Sequence, residues 1–121
     1  MPVRQGPRRR APRLATTIAG LLRGRCARRV TALDISLTGC LVRADQNLEA
    51  GSIQELELAL GSETIETRVR VTETSVDGAA DDGGPRFLIG LEFLGLGARQ
   101  ETRLRDFLDE SRSHRDPRSP R

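Results

Sequence analysis

Two adjacent segments alternate apolar and polar residues at every second position. In residues 53–60, Leu56, Leu58 and Leu60 fall on one side, Glu55 and Glu57 on the other. Residues 64–76 repeat the pattern, with Ile65, Thr67, Val69 and Val71 opposing Glu66, Arg68 and Arg70. A helix, whose faces recur every 3.6 residues, cannot segregate such a pattern, whereas a strand does so because successive side chains point to opposite faces. Both segments are therefore half-buried strands, and Gly61-Ser62 between them reads as a hairpin turn.

Four more segments have strand composition: 14–23, 28–36, 39–44 and 86–94, the last with Phe87, Ile89, Leu91 and Phe93 on one side. Leu37-Thr38-Gly39 is a tight link between the second and third, and residues 77–85 read as a polar, Gly-rich loop. After Gly97 the period changes. Leu104, Phe107 and Leu108 lie at i, i+3 and i+4 among charged residues, which predicts an amphipathic helix over about 98–112 with Arg99, Arg103 and Arg105 on its solvated face. Pro2, Pro7 and Pro12 keep residues 1–12 out of regular structure, and residues 111–121 have the composition of a disordered basic tail. Six antiparallel-type strands and one terminal helix predict a mainly β domain over residues 14–110, a small closed or nearly closed barrel with the helix over one opening. With three Phe and no Trp or Tyr, its core must come from Leu, Ile and Val.

The charge is unevenly spread. Residues 1–33 carry nine Arg and no acid, whereas residues 34–111 carry seven Arg against sixteen acids. A basic arm, residues 1–13, thus precedes an acidic body, so the arm is the anion-contacting candidate. All twenty basic residues are Arg, each a planar fork able to grip a phosphate bidentately or stack on a base. Cys26 and Cys40 are too few for a disulfide framework and lack metal spacing, so no metal or other cofactor is expected. The sequence has no apolar run of membrane-spanning length and no signal-peptide pattern, which predicts a cytoplasmic protein without a membrane contact.

Pairs with Arg-x-x-x-Arg spacing, such as Arg4/Arg8 and Arg9/Arg13, carry little information, since about three are expected by chance at this Arg content. DISLTG, residues 34–39, is more specific: random composition gives Asp-x-Ser-x-x-Gly only about 0.04 times. It lies at the end of the second strand, where Asp34 and Ser36 either face a ligand or cap the strand-to-turn transition through nearby backbone N–H groups. Gly39 allows positive φ or close backbone approach, a structural use whether or not a ligand binds.

These two motifs, in this order, resemble those of the PilZ domain family. The likeness covers about residues 8–110 and extends to Leu48-Glu49-Ala50-Gly51, to the IGLEF strand at 89–93 and to the closing helix. It implies a six-stranded PilZ-type β-barrel that binds cyclic di-GMP. By that resemblance Arg9 and Arg13 supply the Arg-x-x-x-Arg motif, since Arg13 runs straight into the first strand, and Asp34, Ser36 and Gly39 supply the second motif. Arg8, immediately before the motif, implies uptake of the ligand as an intercalated dimer, while Arg10 is read as solvated. The residue types suit that ligand. Arg can clamp a phosphate or the O6/N7 edge of guanine, and Asp34 can accept from guanine N1–H and N2–H₂.

Enzymatic activity has no support: a usable His, a nucleophile elbow, a metal cluster and a P-loop are all missing from the sequence. The expectation is a receptor that passes its signal to a downstream protein. One alternative is a PilZ-like adaptor that binds a protein without nucleotide. The other, a nonspecific nucleic-acid binder, is disfavoured by the acidic body and by the missing Trp and Tyr platforms.

Overall fold

The computed structural model describes residues 13–79 and 85–115. Among them run β1 (Leu14–Arg23), β2 (Ala27–Ile35), β3 (Gly39–Ala44), β4 (Ile53–Leu60), β5 (Glu63–Ala79), β6 (Pro85–Phe93) and helix α1 (Ala98–Arg115). The strands close in the order β1-β2-β3-β6-β5-β4, with β4 pairing back onto β1 and every neighbour antiparallel. Closure gives every strand a neighbour on both sides, which limits the open edge of an ordinary sheet, although β1 meets β4 only over Gly20–Arg23.

The alternation in the sequence becomes the wall of the barrel. Leu56, Leu58 and Leu60 of β4 and Ile65, Val69 and Val71 of β5 face inward, at most 2% exposed. Ile18, Leu22, Val42, Ile89 and Leu91 join them in one core. As composition required, this core is almost wholly aliphatic, with Phe93 its one buried aromatic among the described residues. Gly61 turns the β4–β5 hairpin at φ 68, a region that side chains with a Cβ rarely adopt.

Strand polarity gathers the start of β1, the β2–β3 link, the β4–β5 turn and the end of β6 at one end of the barrel. Helix α1 follows β6 and lies over that end, burying Leu104 and Leu108 in the core with Phe107 packed beside them. Gln100 Oε1 accepts from the Glu66 backbone N–H at 3.1 Å and ties the first turn of the helix to β5. Arg103 is not solvated as expected, because its Nε lies 3.5 Å from Glu63 and is held against the hairpin.

Two boundaries differ from expectation. β5 runs on to Ala79 and β6 begins at Pro85, so Asp77 belongs to a strand rather than to a loop, and residues 80–84 of that loop lie outside the described residues. Register shifts at Val71/Glu73 and Val76/Ala79 let the long strand follow β6, and Arg43 Nε anchors it by donating to Asp77 at 3.1 Å. Polar composition hid a strand that is held by ladder bonds and an ion pair instead of by burial. Helix α1 likewise continues through Arg115, past residue 112 and into the expected tail, because no breaker precedes Pro117.

Leu104 is fully buried and links the helix to the barrel. Leu104→Ala is expected to cost about 2–5 kcal/mol, the range for a large-to-small core change, read as a lowered midpoint in chemical denaturation. An unchanged midpoint would mean that the helix is not part of the cooperative core.

Candidate functional site

One extra residue in β2 creates the site. Val30 and Ala32 point inward, and strict period two would send Asp34 after them into the core. Between the pairs Ala32↔Val42 and Asp34↔Leu41, however, β2 has one residue more than β3. This bulge at Leu33 reverses the phase, so Ile35 is fully buried and the Asp34 side chain reaches solvent with 22% exposure. A second irregularity lies beside it, between Ala15 and Ile18 of β1. Bulges of this kind commonly re-aim a side chain next to a functional site.

Arg13, immediately before β1, meets that carboxylate. Its Nη1 donates to Asp34 Oδ1 at 2.6 Å across 21 residues of sequence. The bond is short and charge-assisted, and the Arg13 side chain remains 61% exposed, so a ligand can reach both groups from solvent. Among the expected residues, Arg8 and Arg9 lie outside the described ones.

Ser36 and Gly39 build the link between β2 and β3. Ser36 is 2% exposed. Its N–H donates to the Gly39 carbonyl at 2.9 Å, and its Oγ accepts from the Thr38 N–H at 3.2 Å and donates to the Gly39 carbonyl at 3.3 Å. Of the two motif side chains, Ser36 thus makes the local turn bonds, whereas Asp34 engages Arg13. Gly39 has no positive φ. Its reason is close approach: a Cβ there would collide with the Leu91 carbonyl oxygen on β6. The Phe93 N–H donates to the Thr38 carbonyl at 2.9 Å and fastens the link from the other side.

Cys40 sits beneath this surface, opposite Ile35. Burial, reinforced by the Asp34 carboxylate and partly opposed by Arg13, pushes its thiol from 9.0 up to about 12. Sequence reasoning also passed over a neighbouring ion pair. Glu92 lies opposite Gly39 in the β3–β6 ladder and accepts from Arg70 Nη1 at 3.0 Å, so the rim beyond Gly39 is charge-balanced. The register that joins Arg70, Glu92 and Gly39 comes from strand order, which no local pattern encodes. Among the described residues no His/Cys/Asp/Glu group is placed to hold a metal ion, and no helix is long and apolar enough to cross a membrane.

A family model described as the PilZ domain matches residues 7–110. The barrel is similar to the Bacillus subtilis inhibitor of motility MotI/DgrA, with TM-score 0.72 and 19% identity over 88% of this chain and 52% of that one. The PilZ domain of Escherichia coli YcgR, solved with c-di-GMP, gives TM-score 0.70 and 16% identity over 90% and 98%. The K. pneumonia MrkH–c-di-GMP complex gives 0.71 and 19% over 91% and 55%. At these identities the likeness establishes the fold alone. The chain spans about half the length of the Bacillus and MrkH structures. No curated protein is significantly similar to the sequence.

Two outcomes follow from the packing. Gly39→Ala is expected to destabilise the chain by at least about 1 kcal/mol, a fall of roughly 4 °C in Tm, with no ligand present. An unchanged Tm would contradict the close approach to Leu91. Cys26 is exposed and Cys40 buried, so Ellman's reagent at about pH 8 is expected to label one thiol in the folded protein and the second only after denaturation. Because the unfolded Cys40 thiol ionises first, this group withdraws stability as pH rises from 9.0 toward about 12 and leaves it unchanged below.

Proposed function

The chain belongs to the PilZ family, and from that premise we propose that it is a cytoplasmic receptor for cyclic di-GMP, not an enzyme. The observation that carries the reading is the Arg13–Asp34 contact, in which residues of two separate motifs meet on one solvent-facing patch. The YcgR and MrkH structures, both solved with c-di-GMP, support the ligand class.

In the proposed complex the ion pair is exchanged for the ligand. Asp34 accepts from the guanine N1–H and N2–H₂, which arginine cannot do, and Arg13 takes a phosphate or the O6/N7 edge. Ser36 and Gly39 hold the link flat against the ligand. Arg9 completes the pair with Arg13, and Arg8 adds a stacking guanidinium for a second, intercalated ligand. Residues 4–13 thereby close over the barrel wall, which orders a segment and relocates several positive charges. That change is the signal a downstream protein reads.

Calorimetry with cyclic di-GMP tests this. The wild type is expected to bind below the millimolar range with two ligands per chain, and Arg8→Ala to reduce the stoichiometry to one. Arg13→Ala and Asp34→Ala should each weaken binding by about 1–3 kcal/mol, roughly 5- to 150-fold, as for loss of one bidentate base contact. A wild type that binds no cyclic di-GMP below the millimolar range overturns the receptor reading and leaves the nucleotide-independent adaptor.

A further inference from the structure

At the barrel end away from α1, the β1–β2 hairpin carries the opposite charge from the body. The β1–β2 hairpin places Arg23, Arg25, Arg28 and Arg29 within seven residues that include no acid. Arg23 is neutralised by Glu57 at 2.7 Å. Among the described residues, Arg25, Arg28 and Arg29 form no ion pair, and the one contact of Arg28 is a long donation to Cys26 Sγ at 3.9 Å. By contrast Arg13, Arg43, Arg70, Arg103 and Arg105 each hold a carboxylate.

Two of these cations, Arg25 and Arg28, border a hollow. Arg28 has the inward parity of Val30 and Ala32, so it stands half-buried over the barrel mouth, opposite Leu22. With Arg25 it borders a concavity of about 500 Å³ whose other wall is the β3–β4 link, including Asn47, Leu48 and Glu49. Gln54 also lines it, with the end of its side chain over Gly24, where a Cβ would meet the Oε1.

We propose that this mouth is a docking site for an acidic segment of a partner protein. Unneutralised guanidinium forks repel one another, and carboxylates bridging them remove that repulsion while accepting bidentate bonds. The amides of Asn47 and Gln54 supply both donors and acceptors, as a peptide backbone requires, and Leu48 gives the hollow an apolar patch. Nucleic acid fits less well, since no aromatic side chain lies on the hairpin or the link to stack a base. A bilayer is flat and leaves the concavity empty. The inference does not rest on nucleotide binding, because the mouth lies at the far end from Arg13 and Asp34.

A fluorescein-labelled Glu/Asp-rich peptide, a thymine oligonucleotide and phosphatidylserine vesicles serve as probes at about 0.15 M salt, where distant charges are screened. Peptide binding is expected to shift the amides of residues 24–29 and 46–54 and to weaken by about tenfold or more in Arg25→Glu with Arg28→Glu. It should change by less than about twofold in Arg13→Ala and in the combined Arg8→Ala, Arg9→Ala and Arg10→Ala variant, which removes the arm as an electrostatic sink. Unchanged affinity in the double charge reversal, or shifts confined to other residues, overturns the proposal. Oligonucleotide or vesicle binding that equals the peptide's and fails in the same variant assigns the mouth to those anions instead. Because Arg13→Ala removes the nucleotide site alone, failure of either reading is distinguishable from failure of the other.

Discussion

Everything at the candidate site depends on the extra residue that β2 inserts at Leu33. A six-stranded barrel has room inside only for side chains, so each strand must keep its apolar set on one parity. β2 begins on the parity of Val30 and Ala32 and finishes on that of Ile35. Without the phase change, the Asp34 carboxylate would be driven into an aliphatic core with no partner, at a cost no small domain tolerates. With it, the carboxylate emerges on the outer wall beside the start of β1, within reach of Arg13. The bulge also delivers Ser36 to the link, where its hydroxyl and N–H fix Gly39 against β6. Asp34, Ser36 and Gly39 thus form a spaced motif because one local irregularity and one close backbone contact fall next to each other.

The two ends of the barrel differ chemically. At the α1 end, three cations are matched by carboxylates: Arg13 with Asp34, Arg70 with Glu92, Arg103 with Glu63. An anionic ligand there must compete with internal carboxylates, which favours a ligand offering donors to Asp34 as well as charge to Arg13. Cyclic di-GMP offers both through its guanines and phosphates, whereas a plain polyanion offers charge alone. At the other end Arg25 and Arg28 form no ion pair among the described residues, and they outnumber Glu49, the carboxylate on the wall they share, so the mouth keeps a positive rim for an incoming carboxylate. The two proposed binding modes draw on the same Arg-rich composition, divided by where the acids fall.

The barrel was legible because its signal is local and repeated. Alternation in residues 53–76 and the turn at Gly61 fix two strands, and the remaining apolar segments fall into place around them. The DISLTG spacing singled out Asp34, Ser36 and Gly39 and the PilZ resemblance singled out Arg13; of these, the structure brings Arg13 and Asp34 into direct contact. What escaped is non-local. The continuation of β5 to Ala79 rests on ladder bonds and on the Arg43–Asp77 pair, and neither leaves an apolar pattern. The division of labour inside DISLTG was also hidden, because Ser36 is buried by the link while Asp34 is turned out by a bulge two residues earlier. A trace of that bulge exists: Val30, Ala32 and Ile35 break period two by one residue.

In the proposed complex, cyclic di-GMP replaces the Arg13–Asp34 contact on the outer wall. An amide and arginine Nε–H spectrum of the full chain, titrated with cyclic di-GMP and in parallel with cyclic di-AMP, observes that site directly. The guanine ligand is expected to shift the Arg13 Nε–H together with the amides of Asp34 and Gly39 and to leave residues 24–29 still, whereas the adenine ligand shifts none of them at the same concentration. Saturation by cyclic di-GMP with Arg13 and Asp34 unmoved, or equal response to both nucleotides, would contradict this replacement.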